Sequence, residues 1–287
     1  MNIHPKSTLV LTAIYLGIAG ASAASQDFGA IRGHINNFSD KPVLGKLYQS
    51  RTENSGSGKS KCLKYWPYAA VIAIGGGIFA FDEDLNDFSQ RGSLHNDGLD
   101  NFSKNLGRLG PAGPYIITVP LFAGYGLIAE HNYSLMTAID LTAGFAAAEF
   151  VTGGAKIVAG RERPSSTEDP YEFFKGGHSF WSGHTISAFT FATIMTKRYP
   201  RQNLGFIGIN HEFPFIPVLT YSFATIAGLQ RLYANAHWAS DVYFAALAGY
   251  AVGSLTVHFS NKLQTGKLTF RPGQTYYIVY NISLDGK

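Results

Sequence analysis

The chain has 287 residues, a formal net charge of +4 and 46% hydrophobic residues, which favours one sizeable folded domain over a disordered or fibrous chain. Its single cysteine, Cys62, excludes an intrachain disulfide and a thiolate metal cluster. The basic residues are scattered, so the charge predicts no nucleic-acid partner and fits an anionic substrate or a membrane surface.

Residues 1–23 have the pattern of a secretory signal peptide. Lys6 supplies the positive start, an apolar run covers residues 9–20, and small residues end at Ala23. The alternative is an uncleaved anchor helix, but the run is shorter than the roughly 20 apolar residues that a spanning helix needs. We therefore expect cleavage near Ala23 and an exported protein in the periplasm or cell envelope.

Residues 24–65 are polar and show no sustained period, which indicates an N-terminal arm without visible chemistry. The apolar segments of residues 66–260 predict an all-α domain, a six-helix bundle. The six predicted helices are Trp66–Phe81, Tyr115–Ala129, Ser134–Val158, Thr185–Thr196, Phe215–Leu229 and Trp238–Phe259. In residues 261–287, alternating residues around a Pro-Gly pair predict a short C-terminal β-hairpin.

The acidic run of residues 82–87 has oxygen ligands at alternate positions, like the start of a calcium loop. Asp87 stands where that loop needs glycine, and Ser93 stands where it needs glutamate. We therefore predict a solvated connection between helices.

A first basic motif follows the third predicted helix. Lys156 is separated by six residues from Arg163 and Pro164, and the proline ends the helix. Two cations at a helix end are also typical of a membrane boundary, so this motif alone leaves both interpretations open.

A second motif leads into the fourth predicted helix. Ser182 is a candidate N-cap, and the backbone N–H groups of Gly183 and His184 at the helix start favour an anion. A capping serine followed by a buried histidine is the structural alternative.

The third motif contains Arg231, His237 and Asp241. The histidine and the aspartate are four residues apart at a helix start, so they share a face, and the carboxylate can hold the imidazole in one tautomer. A structural hydrogen bond between them is the alternative. Together the three motifs bring three cations and two histidines, which suffice for phosphoryl transfer without a metal.

These motifs resemble the signature of the type 2 phosphatidic acid phosphatase superfamily, which includes bacterial non-specific acid phosphatases and vanadium haloperoxidases. The sequence departs from the usual pattern at Trp181, where the family has proline, and at Gln230, where it has serine. The resemblance implies a helical bundle that hydrolyses phosphate monoesters through a phosphohistidine, with no cofactor and no metal.

The resemblance also implies a role for each motif residue. His237 is the nucleophile, Asp241 orients it, and His184 protonates the leaving alcohol and then activates water. The implied phosphate-binding residues are Lys156, Arg163, Ser182, Gly183 and Arg231.

Several alternatives stay open at this stage. A vanadate-dependent haloperoxidase uses a similar pocket, and a non-catalytic helical envelope protein would need the motifs only for structure. A Ser-His-Asp hydrolase lacks its nucleophile elbow around Ser182, and a zinc site with His178, His184 and His237 lacks ligand spacing.

The expected partner is a phosphorylated lipid or a small phosphomonoester, and helix-lined apolar walls favour the lipid. The sequence does not distinguish substrates that share the same phosphoryl end. These include phosphatidic acid, phosphatidylglycerol phosphate, an isoprenyl pyrophosphate, lipid A phosphate and soluble monoesters. The basic residues opposite the site predict that the site faces outward, whereas a cleaved signal followed by six spans would place it in the cytosol. We favour a membrane-associated enzyme that faces the periplasm.

Overall fold

The computed structural model of the chain describes residues 59–204 and 209–263. The predicted signal peptide, most of the N-terminal arm and the proposed C-terminal hairpin lie outside these residues. The described part forms eight helices and one two-stranded sheet: α1 (Lys59–Ala80), α2 (Asp82–Ser89), α3 (Asp97–Arg108), α4 (Gly113–Ile128), α5 (Asn132–Ala159), α6 (Gly183–Arg198), β1 (Gln202–Leu204), β2 (Ile209–Phe213), α7 (Phe215–Tyr233) and α8 (Ala239–Leu263).

The predicted all-α class is confirmed, and each of the six predicted helices is present. The predicted connection at residues 82–87 is wrong, because these residues form α2, whose first-turn carboxylates favour a helix N-terminus. The sequence also gave no prediction for α3, which begins where Asn96 accepts a hydrogen bond from the Leu99 N–H at 3.0 Å. Helix α1 begins at Lys59, ahead of the predicted start at Trp66.

A short antiparallel sheet lies between α6 and α7 and was not predicted. Gln202 pairs with Phe213 in its register, so strands β1 and β2 form a hairpin that connects the two helices. The chain divides between Leu85 and Asn86 into two compact units, and every contact described below lies within the second unit.

Helix α6 lies at the centre of the second unit, with α5, α7 and α8 packed around it. Every residue from 185 to 196 is buried, so this stretch of the helix has no face in contact with solvent. Glycines allow this close packing. A Cβ at Gly249 would lie 2.5 Å from the carbonyl oxygen of Ile186, and a Cβ at Gly144 would lie 2.5 Å from Ile194 Cδ1.

A buried ion pair joins three helices at the C-terminal end of α6. Arg198 Nε donates to Asp140 Oδ2 at 2.7 Å, and its Nη2 donates to Ser260 Oγ at 3.1 Å. Arg198 and Asp140 are both buried, so this pair ties α6 to α5 and α8 in a region that excludes water.

Two described helices, α5 and α8, are long and apolar enough to cross a membrane. Helices α3 and α4, which meet at 52°, would add a third crossing if they form one broken span. Large apolar side chains are exposed on these helices, including Ile116, Ile117, Leu121, Ile128, Phe150, Ile157 and Leu255. A surface of this kind is suited to lipid and indicates membrane association.

Asp140→Ala should lower the free energy of unfolding by about 3–5 kcal/mol, because it leaves the buried Arg198 charge unpaired. Thermal unfolding in detergent would measure the change. The combined Asp140→Leu and Arg198→Met replacement should recover most of the loss, and Lys197→Ala, at an exposed neighbour, should have little effect. Equal midpoints for Asp140→Ala and Lys197→Ala would contradict the role of the pair.

Candidate active site

The three predicted motifs meet where four helix ends come together. Helix α5 ends at Ala159 and is capped by Gly160, whose φ of 50° is the left-handed conformation typical of a helix C-terminus. The loop that follows returns to the start of α6, and the end of α7 adjoins the start of α8. The motif residues therefore lie at one end of the bundle, on the second unit.

His237 is 4% exposed, and its Nδ1 lies 2.7 Å from the carbonyl oxygen of Ser179. A carbonyl oxygen can only accept, so Nδ1 carries the proton and Nε2 keeps its lone pair. Burial lowers the pKa of His237, the charge of Asp241 opposes this, and the charge of Arg163 adds to the lowering. The imidazole is therefore held neutral with Nε2 as the nucleophilic atom.

The tautomer of His237 is fixed differently from the sequence prediction. Asp241 Oδ2 lies 3.9 Å from Nδ1, which is within reach of charge but too long for a hydrogen bond. The Asp241 carboxylate instead accepts from the Ser179 hydroxyl at 2.5 Å and from the Trp238 N–H at 3.0 Å. Asp241 thus acts on the imidazole through Ser179 and the start of α8.

Arg161 is the main site residue that sequence reasoning missed. Its side chain is fully buried, and Nη1 donates to Asp241 Oδ1 at 2.6 Å and to Ser240 Oγ at 2.8 Å. Its Nε donates to the carbonyl oxygen of Pro170 at 2.9 Å. Arg161 stands two residues before Arg163 in the first motif, so the sequence placed an arginine near the site. Nothing in the sequence showed that the Arg161 side chain is buried.

His184 lies at the start of α6, half-buried, with Nε2 3.2 Å from the carbonyl oxygen of Gly107 in α3. Burial, followed by the charge of Arg231, lowers the pKa of His184 to about 4. Lys156 and His237 also lower the pKa of His184, so both histidines and two cations share one electrostatic environment. With Nε2–H donated to Gly107, Nδ1 is the atom left to exchange a proton.

The three predicted cations surround this pair of imidazoles. The Lys156 ammonium lies 3.9 Å from where a Cβ of Gly183 would be, and an Arg231 Nη lies 3.4 Å from where a Cβ of Gly107 would be. Burial and the charge of Arg163 lower the pKa of Arg231. Mutual repulsion of this kind requires cations held close together, and it would be relieved by a bound anion.

The second motif forms as predicted at the start of α6. Ser182 is its N-cap, with the side-chain oxygen 3.4 Å from the Thr185 N–H and 2.9 Å from Thr185 Oγ1. The first backbone N–H groups of a helix have no intrahelical partner and form an anion site. The Lys156 ammonium beside Gly183 adds a full positive charge to this position.

The two departures from the family pattern have structural explanations. Trp181 packs against the apolar cluster of Ala148, Ile186 and Ala245, so it fills space between α5, α6 and α8. Gln230 is buried, and its Nε2 donates to the carbonyl oxygen and the hydroxyl of Ser103, both at 2.9 Å. Gln230 therefore fastens α7 to α3.

Residues 137–265 match the model of the PAP2 superfamily, and this range includes all three motifs. The match confirms, for this range, the family predicted from the motifs. Among the described residues, no group of three His, Cys, Asp or Glu side chains is placed to hold a metal ion.

The chain is similar to a lipid A 1-phosphatase of Porphyromonas gingivalis, with 28% identity over 184 residues. The aligned region is 62% of this chain but only 34% of that protein, so the chain spans about a third of this relative.

Two solved structures are also similar. Aquifex aeolicus LpxE has 20% identity and a TM-score of 0.43, covering 61% of this chain and 93% of that one. The first transmembrane PAP2-type phosphatidylglycerolphosphate phosphatase from Bacillus subtilis has 16% identity and a TM-score of 0.48, covering 71% and 100%.

Phosphate should raise the pKa of His184, because burial and the charges of Arg231 and Lys156 hold it near 4 and a bound anion offsets those charges. The free protein should keep His184 neutral above about pH 4, and the protonation midpoint should move upward when phosphate is added. NMR titration of labelled histidines in detergent, with His184→Gln for assignment, would measure this. The signal of the exposed His258 should not respond, and an unchanged His184 midpoint at saturating phosphate would contradict the proposed anion site.

Proposed function

We propose that this chain is a metal-independent phosphatase that hydrolyses phosphate monoesters of a lipid through a phosphohistidine at His237. The observation that carries the proposal is the hydrogen bond from His237 Nδ1 to the Ser179 carbonyl, which leaves the Nε2 lone pair free on an imidazole whose pKa is lowered by burial and by the charge of Arg163. A neutral imidazole fixed in one tautomer beside an anion site has the requirements of a phosphoryl acceptor.

In the first step, His237 Nε2 attacks phosphorus, the N–P bond forms and the bond from phosphorus to the ester oxygen breaks. His184 gives a proton to the departing oxygen. The low pKa of His184 in the free site suits this role, because the negative substrate raises it and so charges the acid only when a phosphoryl group is bound. The alcohol then leaves.

In the second step, His184 takes a proton from a water molecule, whose oxygen attacks phosphorus as the N–P bond breaks. Lys156, Arg163 and Arg231 would balance the charge on the phosphoryl oxygens, and the Ser182 hydroxyl and the Gly183 N–H would donate to them. This set of donors supplies the positive charge that a metal ion provides in other phosphatases.

A lipid substrate is supported by the position of the site at the end of helices with exposed apolar side chains. The similar protein of Porphyromonas gingivalis carries the name of a lipid phosphatase, which agrees with this substrate class. The phosphoryl group would enter the site while the acyl chains remain along the apolar helices.

Replacing His237 by Ala should lower phosphate release by about 10³-fold or more, because the nucleophile is lost. His258→Ala removes an exposed histidine near the far end of α8 and should leave the rate unchanged. The assay uses short-chain phosphatidic acid and p-nitrophenyl phosphate in detergent. EDTA should not inhibit, vanadate should inhibit, and acid-labile phosphate should be trapped on the wild-type chain.

Three results would contradict the proposal: full activity of the folded His237→Ala variant, activity that requires an added divalent cation, or vanadate-dependent halide oxidation in place of phosphate release. The last result would identify the chain as a vanadate-dependent haloperoxidase.

We further propose that the site faces the periplasm. The site lies at the N-terminal ends of α6 and α8, whereas Lys197 and Lys262 lie near their C-terminal ends. Positive residues are retained on the cytoplasmic side of membrane helices, which supports an outward-facing site.

In a Cys62→Ser background, a cysteine at exposed Glu168 should react with a membrane-impermeant maleimide in intact cells, because this loop lies on the site side. A cysteine at exposed Lys262 should react only after the membrane is opened. The reverse pattern would place the site in the cytoplasm.

A further inference from the structure

A cavity adjoins the proposed phosphate site on the side of α3. It measures about 540 Å³ and is lined in part by Lys104, Gly107, Arg108 and Arg231. Arg231 therefore lies between this cavity and the proposed phosphate site. Its Nε is buried without a hydrogen-bond partner among the described residues, so the guanidinium is not fully paired within the protein.

The cations of this cavity lie on one face of α3. Lys104 and Arg108 are four residues apart and exposed, so they are neighbours about one helical turn apart. The carboxylate of Asp100 also lines the cavity, but it is already held by His95 Nδ1 at 3.1 Å and by the Tyr233 hydroxyl. Three cations against one engaged carboxylate give the cavity a net positive charge.

The helix that carries these cations is fixed in place relative to the proposed catalytic groups. Gln230 holds α3 at Ser103, and the Gly107 carbonyl accepts from His184. Gln90 Nε2 donates to the Leu232 carbonyl at 2.9 Å, and the His95 ring stacks on Tyr233 at 4.2 Å. These contacts fix the backbone of α3, which carries Lys104 and Arg108, relative to His184.

We propose that this cavity is a second anion subsite, which binds an anionic group carried by the leaving alcohol. The inference rests on the proposed function and adds a substrate class to it. The substrates would be lipids that carry a second phosphate group besides the phosphate monoester that is cleaved. Arg108 is adjacent in sequence to Gly107, which contacts the proposed acid His184, so the second anion lies on the leaving-group side of the reacting phosphorus.

A matched pair of substrates tests the subsite. Dihexanoyl phosphatidic acid loses a neutral alcohol, whereas dihexanoyl phosphatidylglycerol phosphate loses an alcohol that carries a phosphodiester. The double variant Lys104→Ala, Arg108→Ala should raise KM for the second substrate about tenfold and change KM for the first less than about twofold, since charge-assisted hydrogen bonds are lost only with the second. Lys197→Ala, at an exposed lysine on α6, is the control and should change neither.

A binding measurement separates failure of the subsite from failure of the proposed function. Propane-1,3-diylbisphosphonate and propylphosphonate cannot be hydrolysed and differ by one anionic group. Titration calorimetry should show that the wild-type protein binds the bisphosphonate about tenfold more tightly, and that the double variant loses this preference.

The possible outcomes are distinct. Equal KM changes for both lipids, or no preference for the bisphosphonate in the wild-type protein, would overturn the subsite even if the phosphatase is active. Loss of the bisphosphonate preference in the double variant supports the subsite even if neither lipid is hydrolysed, in which case the proposed function fails alone.

Discussion

The arrangement of the proposed active site depends on one interaction, the buried pair of Arg161 and Asp241. A guanidinium and a carboxylate without solvent contact are costly unless each is fully satisfied, and here each has several further partners. Through them the pair joins the loop after α5, the Ser179 segment and the first turn of α8. The position of His237 is a consequence, because Ser179 accepts its Nδ1–H and Trp238 precedes Asp241 on the same turn.

The second determinant is electrostatic. Lys156, Arg163 and Arg231 lie near the buried imidazole of His237 and the half-buried imidazole of His184, so the site is a region of positive charge. Repulsion between these cations destabilises the folded protein, and a bound anion removes this repulsion. The buried pair below the site has the opposite character, since its charges cancel within the protein. The molecule therefore separates a neutral ion pair that positions groups from a cationic region that attracts a ligand.

The sequence predicted the helical class and the N-cap at Ser182 for clear physical reasons. Apolar segments of helical length can be recognised directly in the sequence. The N-cap at Ser182 can also be recognised, because it depends only on residues that are close to it in the sequence. The roles of Arg161 and Ser179 could not be predicted in this way, because a buried arginine differs from an exposed one only by tertiary contacts. Helix α3 was missed since Gly98 and Gly107 weaken its pattern, although its glycine at residue 107 is needed where Arg231 and Gln230 approach closely. The sequence placed Asp241 beside His237 correctly, but a spacing of four residues did not show that the imidazole would donate to a carbonyl instead.

The complete burial of α6 between residues 185 and 196 has a consequence for protein engineering. Any side chain there touches a neighbouring helix, so a larger residue would force backbone movement and a smaller one would leave a void. Variation in substrate preference is therefore far less costly at exposed positions of α3 such as Lys104 and Arg108. Libraries aimed at new leaving groups would be best directed at that helix while α6 is kept constant.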